Sequence, residues 1–127
     1  MLINITNHPS KFWFPKQTQK ALNLFNVIMD IDFPAIDPDI SEEVLAQLAG
    51  EYAKKIKNIF ELRGENSELN AVHIMGESNF CFCLVSLLLK EKIRCFASTT
   101  RRNVIYANDS TKNSTFEFVQ FREYLMP

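Results

Sequence analysis

Short apolar runs alternate with amphipathic stretches along the chain. Leu2-Ile3-Asn4-Ile5-Thr6 has strand character and ends in Asn7-His8-Pro9-Ser10, the composition of a turn. Pro15 opens a stretch in which Ala21, Leu22 and Phe25 share one face, which predicts a helix over 15–25. Residues 27–33 alternate apolar positions with Asp30 and Asp32 and predict a second strand, after which Pro34 and Pro38 bracket a loop. Ser41 followed by Glu42 and Glu43 has the form of a helix start. Val44, Leu45, Leu48, Ala49, Tyr52, Ile56 and Ile59 then recur at helical spacing. After a polar loop at 64–68, residues 71–75 predict a third strand closed by Gly76. Residues 78–90 predict a helix that is apolar on most sides, and 93–97 a fourth strand leaving through Ser98-Thr99-Thr100-Arg101-Arg102. Residues 103–107 and 114–121 read as two further strands around a turn-rich segment at 108–113, a hairpin.

Strands separated by helices run parallel with right-handed crossovers. The pattern therefore predicts an α/β fold, a Rossmann-like three-layer sandwich. Its central parallel sheet has an order of about 2-1-3-4, with a C-terminal β-hairpin extension beyond the fourth strand. A sheet covered on both faces accounts for the apolar third helix. The 127 residues fit one domain over 1–127, and a hydrophobic content of 46% is enough for one core. A formal net charge of −1 argues against duplex nucleic acid or a membrane surface as the main partner, while leaving room for a small anionic ligand. Met1 to Ile5 carries no basic leader or long apolar region, and the apolar run at 80–89 is too short to span a bilayer. Cys81, Cys83 and Cys95 are odd in number, and the first two lie in an apolar run, as expected of reduced thiols in a cytoplasmic protein.

In open α/β sheets, ligands bind outside the carboxyl ends of the strands, where the winding reverses. Here that point falls between strands 1 and 3. The loop Asn7-His8-Pro9-Ser10 should face Gly76-Glu77-Ser78-Asn79 there, flanked by Ser98, Thr99, Thr100, Arg101 and Arg102. Gly76 permits close backbone approach, the next helix offers N–H donors, the hydroxyls add more, and the two arginines can neutralise phosphate. Neither a GxxxxGK[ST] nor a GxGxxG string occurs. Each group also has a structural reading: Ser78 and Asn79 as helix caps, Ser98 to Thr100 as a strand exit, the arginines as a solvated edge. Glu77 suits a helix N-terminus, and equally a ribose hydroxyl or a general base. His8 is placed to act as an acid or base, whereas mid-strand His73 reads as a hydrogen-bonded core residue. Asp30 and Asp32 lie within a strand and do not converge with Glu77, so no metal and no cofactor is expected. Trp13 and Phe14 either stack on a base or anchor the first helix. Phe116, Phe118, Phe121 and Tyr124 are too many aromatics for one sheet face, which predicts a homodimer.

The opening segment to Ser10, the central His73-Ile74-Met75-Gly76-Glu77, Ser98-Thr99-Thr100-Arg101, and the closing Phe118-Val119-Gln120-Phe121-Arg122-Glu123-Tyr124 together resemble small CRISPR-associated proteins related to the CARF (CRISPR-associated Rossmann fold) domain. That resemblance implies a dimer binding cyclic oligoadenylate, the second messenger of type III CRISPR defence, through loops after the first and fourth strands. Asn7, His8, Ser10, Ser98, Thr99, Thr100 and Arg101 would contact the ligand, with Gly76 and Glu77 nearby. Some stand-alone members are ring nucleases that cleave the ring without metal, leaving a 2′,3′-cyclic phosphate. In that role His8 would be the acid/base and Arg101 would stabilise the phosphorane. The competing expectations are an unrelated nucleotide- or phosphate-ligand enzyme and a non-catalytic sink or adaptor.

Overall fold

The computed structural model describes residues 1–106 and 112–127. Five strands form one sheet: β1 (Leu2–Thr6), β2 (Ile28–Asp30), β3 (Ala71–Met75), β4 (Arg94–Tyr106) and β5 (Lys112–Glu123). Their order is β2-β1-β3-β4-β5. The first three contacts, β2 with β1, β1 with β3 and β3 with β4, are parallel, and β4 pairs antiparallel with β5.

Alternation along the strands divides the core in two. Ile3, Ile5, Val72, Ile74 and Cys95 point to one face, where α2 (Glu42–Arg63) and α3 (Ser78–Lys90) bury Leu45, Ala49, Ile56, Phe60, Leu84 and Leu88 against them. Leu2, Ala71 and Phe96 point to the other face and meet Ala21 and Phe25 of α1 (Pro15–Phe25), together with Phe118 and Phe121. Helices thus cover both faces of the sheet.

Local chemistry sets the helix ends. Pro15 starts α1, where its missing N–H costs no hydrogen bond. The Ser41 side chain accepts from the Val44 N–H at 3.2 Å to cap α2, and Gly64 closes that helix with φ 64°, a conformation glycine adopts at little cost.

Three sequence expectations need correction. The second strand is Ile28–Asp30 rather than 27–33, because Ile31 and Phe33 leave the sheet and pack into the α2–α3 core. The fourth parallel strand and the first hairpin strand are one continuous strand, so the sheet has five strands and not six, and its order differs accordingly. Ser98 to Arg102 therefore lie within β4, hydrogen-bonded to β5, rather than in a loop. Pairing with β5 satisfies the backbone groups a loop would leave to water, which is why hydroxyl-rich composition misleads here. The turn expected over 108–113 falls largely on 107–111, outside the described residues.

The register between β4 and β5 shifts between Thr99 and Thr100: Thr99 pairs Gln120, but Thr100 pairs Phe118. The extra residue, Val119, makes a bulge, and a bulge changes which side chains share a face. Phe118 and Phe121 both turn towards α1 and are buried. Tyr124 goes to the opposite core and donates to the Ile74 carbonyl at 3.0 Å. Three of the four C-terminal aromatics are therefore housed within the chain, leaving Phe116 56% exposed.

Candidate functional site

Where polar side chains enter a sheet, each needs a partner or it weakens the fold. The α1-facing side of β1 and β3 carries three such residues, Asn4, Thr6 and His73, all buried. Asn4 Nδ2 donates to Asp30 Oδ1 at 2.8 Å and to the His8 carbonyl at 3.1 Å. Its Oδ1 faces His73 Nδ1 at 2.8 Å and accepts from the Thr6 hydroxyl at 3.2 Å. The His8 carbonyl also accepts from Trp13 Nε1 at 3.0 Å, and the His8 N–H donates to Thr6 Oγ1 at 3.1 Å. The Ser10 N–H and hydroxyl donate to the Asp30 carboxylate at 3.0 and 2.6 Å. This network ties the loop after β1 to β2 and β3.

The network also fixes charge. Partial burial opposes the charge on Asp30, but hydrogen bonds from the Ser10 hydroxyl, the Asn4 amide and the Ser10 N–H, with Lys11 nearby, outweigh it and hold the carboxyl below its ordinary range. Burial, helped by neighbouring His8, lowers His73 to about 4, so its ring is neutral at physiological pH.

Above this network lies a cavity of about 550 Å³. Thr6, Asn7 and His8 come from the end of β1 and its loop, His73, Met75 and Gly76 from the end of β3, Ser98 and Thr100 from β4, and Phe116 and Phe118 from β5. Phe12, Trp13, Phe14 and Gln17 close it from the α1 side. The geometry follows from pairing lengths. β1 and β3 pair over five positions, but β3 and β4 only over three, ending at His73 with Phe96. Beyond that point β4 keeps its pairing with β5 and meets β3 through side chains, the Ser98 N–H and hydroxyl lying 3.3 and 3.2 Å from the Met75 sulfur. The chain leaves β1 for α1 on one face and β3 for α3 on the other, a divergence that marks the position at which α/β sheets bind ligands.

Of the sequence-predicted site residues, Asn7, His8, Gly76, Ser98 and Thr100 line this cavity together. The others lie elsewhere. Ser10 is engaged by Asp30. Glu77 is the N-cap of α3, its carboxylate accepting from the Asn79 and Phe80 N–H groups at 3.1 and 2.7 Å. Ser78 lines a different cavity, and the Thr99 hydroxyl donates to the Gln120 carbonyl at 3.4 Å. Arg101 and Arg102 stand exposed on the outer half of the β4–β5 ribbon, where the Arg102 guanidinium donates to Ser114 Oγ at 3.0 and 3.3 Å. Gly76 does permit a close approach, but an intramolecular one: a Cβ there would sit 2.3 Å from the Phe33 ring, which packs edge-on against Phe80.

His73 is the buried, hydrogen-bonded strand residue the sequence predicts. Its place on the cavity wall, and the bonds of Asp30 to Asn4 and Ser10, lie outside the sequence reading. The available signal was the pair of polar residues Asn4 and Thr6 on the same face of an otherwise apolar first strand.

The second cavity, about 570 Å³, is larger and poorer in chemistry. It lies between α3 and the C-terminal residues Tyr124 to Pro127, lined by Cys81, Phe82, Val85 and Leu89. Among the described residues, no acidic, histidine, lysine or arginine side chain lines it, so the convergent polar groups, not volume, single out the first cavity. Among the described residues, no cluster of three or more His, Cys, Asp or Glu side chains is arranged to hold a metal, and no helix is long and apolar enough to cross a membrane.

No curated protein matches the chain, and no solved structure does. A family model does, over residues 1–122, which spans every strand of the sheet to within one residue of the end of β5 and all the cavity-lining residues. The chain belongs to the family described as the uncharacterized protein MJ1673 family.

Proposed function

We propose that this protein is a Rossmann-like, cytoplasmic binding domain for a cyclic oligoadenylate, held in the cavity at the carboxyl ends of β1 and β3. The observation that carries this reading is the convergence of Asn7, His8, Gly76, Ser98 and Thr100 on one nucleotide-sized space at the point where the sheet's winding reverses. Its rim is also suited to nucleobases. Phe12, Phe14 and Phe116 line it while 62%, 52% and 56% exposed, and aromatic faces of this kind stack bases with little sequence preference. The hydroxyls of Ser98 and Thr100 supply donors for phosphate or sugar.

Binding is better supported than cleavage. Ring opening by attack of a ribose 2′-hydroxyl needs the acid/base and the charge-stabilising group around one phosphate. Of His8, Glu77 and Arg101, only His8 lines the cavity, and Glu77 is committed to α3. A second copy of the chain packs on the β4–β5 ribbon, because an isolated two-stranded ribbon is marginal in water and this one exposes Val104, Ile105, Tyr106 and Phe116.

Incubation with cyclic tetra-adenylate and cyclic hexa-adenylate, read by melting temperature and by chromatography of the recovered nucleotide, tests the reading. A stabilised protein and an intact ring are expected. A linear product would add catalysis, with His8→Ala expected to abolish the product while keeping the stabilisation. Neither stabilisation nor product with either ring would overturn the proposal.

A further inference from the structure

The floor of the cavity holds one side chain whose hydrogen bonding is incomplete. His73 is 2% exposed, lines the cavity, and its Nε2 is buried with no partner among the described residues. The other ring nitrogen decides what that atom is. Both Asn4 Nδ2 hydrogens are spent, on Asp30 Oδ1 and the His8 carbonyl. Asn4 therefore presents its oxygen to His73 at 2.8 Å, and two lone pairs do not face each other at that distance. The proton must sit on Nδ1, so Nε2 carries a lone pair. Asp30 thus orients Asn4, Asn4 selects the tautomer of His73, and the result is a neutral acceptor beneath the cavity.

The surroundings of that acceptor select its partner. The imidazole is walled edge-on by the rings of Trp13 and Phe121, at centroid distances of 5.5 and 5.3 Å. A hydrated phosphate does not suit an apolar slot facing a lone pair, whereas the edge of a flat base carrying an N–H does. Resting on the nucleotide reading above, we infer that His73 is a specificity-determining residue whose Nε2 accepts a hydrogen bond from the exocyclic amino group of a bound adenine. A base with a carbonyl at that position sets two acceptors against each other and is rejected, because a buried acceptor left unpaired costs more than the bond itself contributes.

The test compares cyclic tetra-adenylate with cyclic tetra-inosinate, which replaces each amino group by a carbonyl, on the wild-type protein and on His73→Leu. Wild type is expected to bind the adenine ring roughly tenfold to a hundredfold more tightly. His73→Leu is expected to bind both rings within a fewfold of each other. The free wild-type protein, labelled with nitrogen-15, checks the tautomer without any variant: Nε2 should show the shift of an unprotonated imidazole nitrogen and move when cyclic tetra-adenylate is added. Equal wild-type affinity for the two rings, or a protonated Nε2 in the free protein, overturns this inference and leaves the ligand reading standing. Failure of cyclic tetra-adenylate and cyclic hexa-adenylate alike to bind overturns the ligand reading and this inference with it; where only the hexa-adenylate binds, the comparison is made against its inosinate counterpart.

Discussion

Acidification should destabilise the protein through His73 at a higher pH than it does through Asp30. The ring's pKa falls from 6.5 to about 4 on folding, so between those values the unfolded chain binds a proton that the folded chain does not. Stability from this group is complete above 6.5 and is lost as pH falls towards 4. The full shift corresponds to about 3 kcal/mol. Between about pH 7 and about pH 5 the linkage integral comes to about 2 kcal/mol, a large fraction of what a small domain possesses. Asp30 works in a separate window. Its carboxyl is held below the ordinary value of 3.8, so its contribution is present above that value and lost only as pH falls below it. Urea unfolding at the two pH values, on wild type and on His73→Asn, measures the effect. The asparagine amide overlays Nδ1, so it keeps an N–H for Asn4 and removes the titrating ring. Wild type should lose about 2 kcal/mol more than the variant on going to the lower pH. Equal losses would refute the argument, since acid sensitivity would then come from groups other than the buried imidazole.

Other substitutions test separate parts of the account. Gly76→Ala drives a methyl into the Phe33 ring and should cost about 1–3 kcal/mol, measured by denaturant melts, with Phe33→Leu recovering part of the loss in the double variant. Ser41→Ala removes the acceptor for the Val44 N–H and should destabilise by about 1 kcal/mol in the same assay, with the ligand response unchanged. Burial pushes the Cys81 thiol up to about 11 and the Cys95 thiol up to about 12, each aided by a nearby carboxylate. Aromatic disulfide reagent should therefore leave both unlabelled in the folded protein at neutral pH, and rapid labelling of Cys95 would contradict its burial. Ile105→Lys on the exposed ribbon should shift light-scattering mass from dimer to monomer without altering the unfolding cooperativity of the sheet.

Much of the fold could be read from the sequence because its strongest signals are local. Pro15, Ser41 and Gly64 mark helix ends by their own backbone chemistry, and the spacing of Leu45, Ala49 and Ile56 sets the buried face of α2 within one element. What could not be read depends on partners distant in sequence. Ser98, Thr99 and Thr100 have the composition of a turn, and only pairing with Phe121, Gln120 and Phe118 makes them strand. The bulge at Val119 has no marker of its own, yet it decides that Phe118 and Phe121 share a face, and so whether the C-terminal aromatics need a second subunit to cover them. The site shows the same division. Asn7, His8 and Gly76 follow from the rule that ligands meet the carboxyl ends of parallel strands. Arg101 and Arg102 stand away from the cavity because β4 runs on past Ala97 as far as Tyr106.

The polar cluster under α1 is the place where local pattern and global fold conflict, and that conflict is informative. Apolar side chains at positions 4, 6 and 73 would fill this face of the sheet without any need for partners. Asn4, Thr6 and His73 instead take part in six hydrogen-bond contacts among themselves and with Asp30 and His8, and still leave Nε2 without a partner among the described residues. Part of the cluster is explained by architecture, since the His8 carbonyl gathers donors from Asn4 and Trp13, with the single Thr6 hydroxyl proton within reach of both it and Asn4 Oδ1, and so pins the loop after β1. His73 supports that task indirectly: its Nδ1–H satisfies the buried Asn4 oxygen and so leaves the single Thr6 proton free for the His8 carbonyl. A methionine or leucine at position 73 would remove that donor. Stability thus explains Nδ1 but not Nε2, the nitrogen left without a partner among the described residues on a ring that lines the cavity.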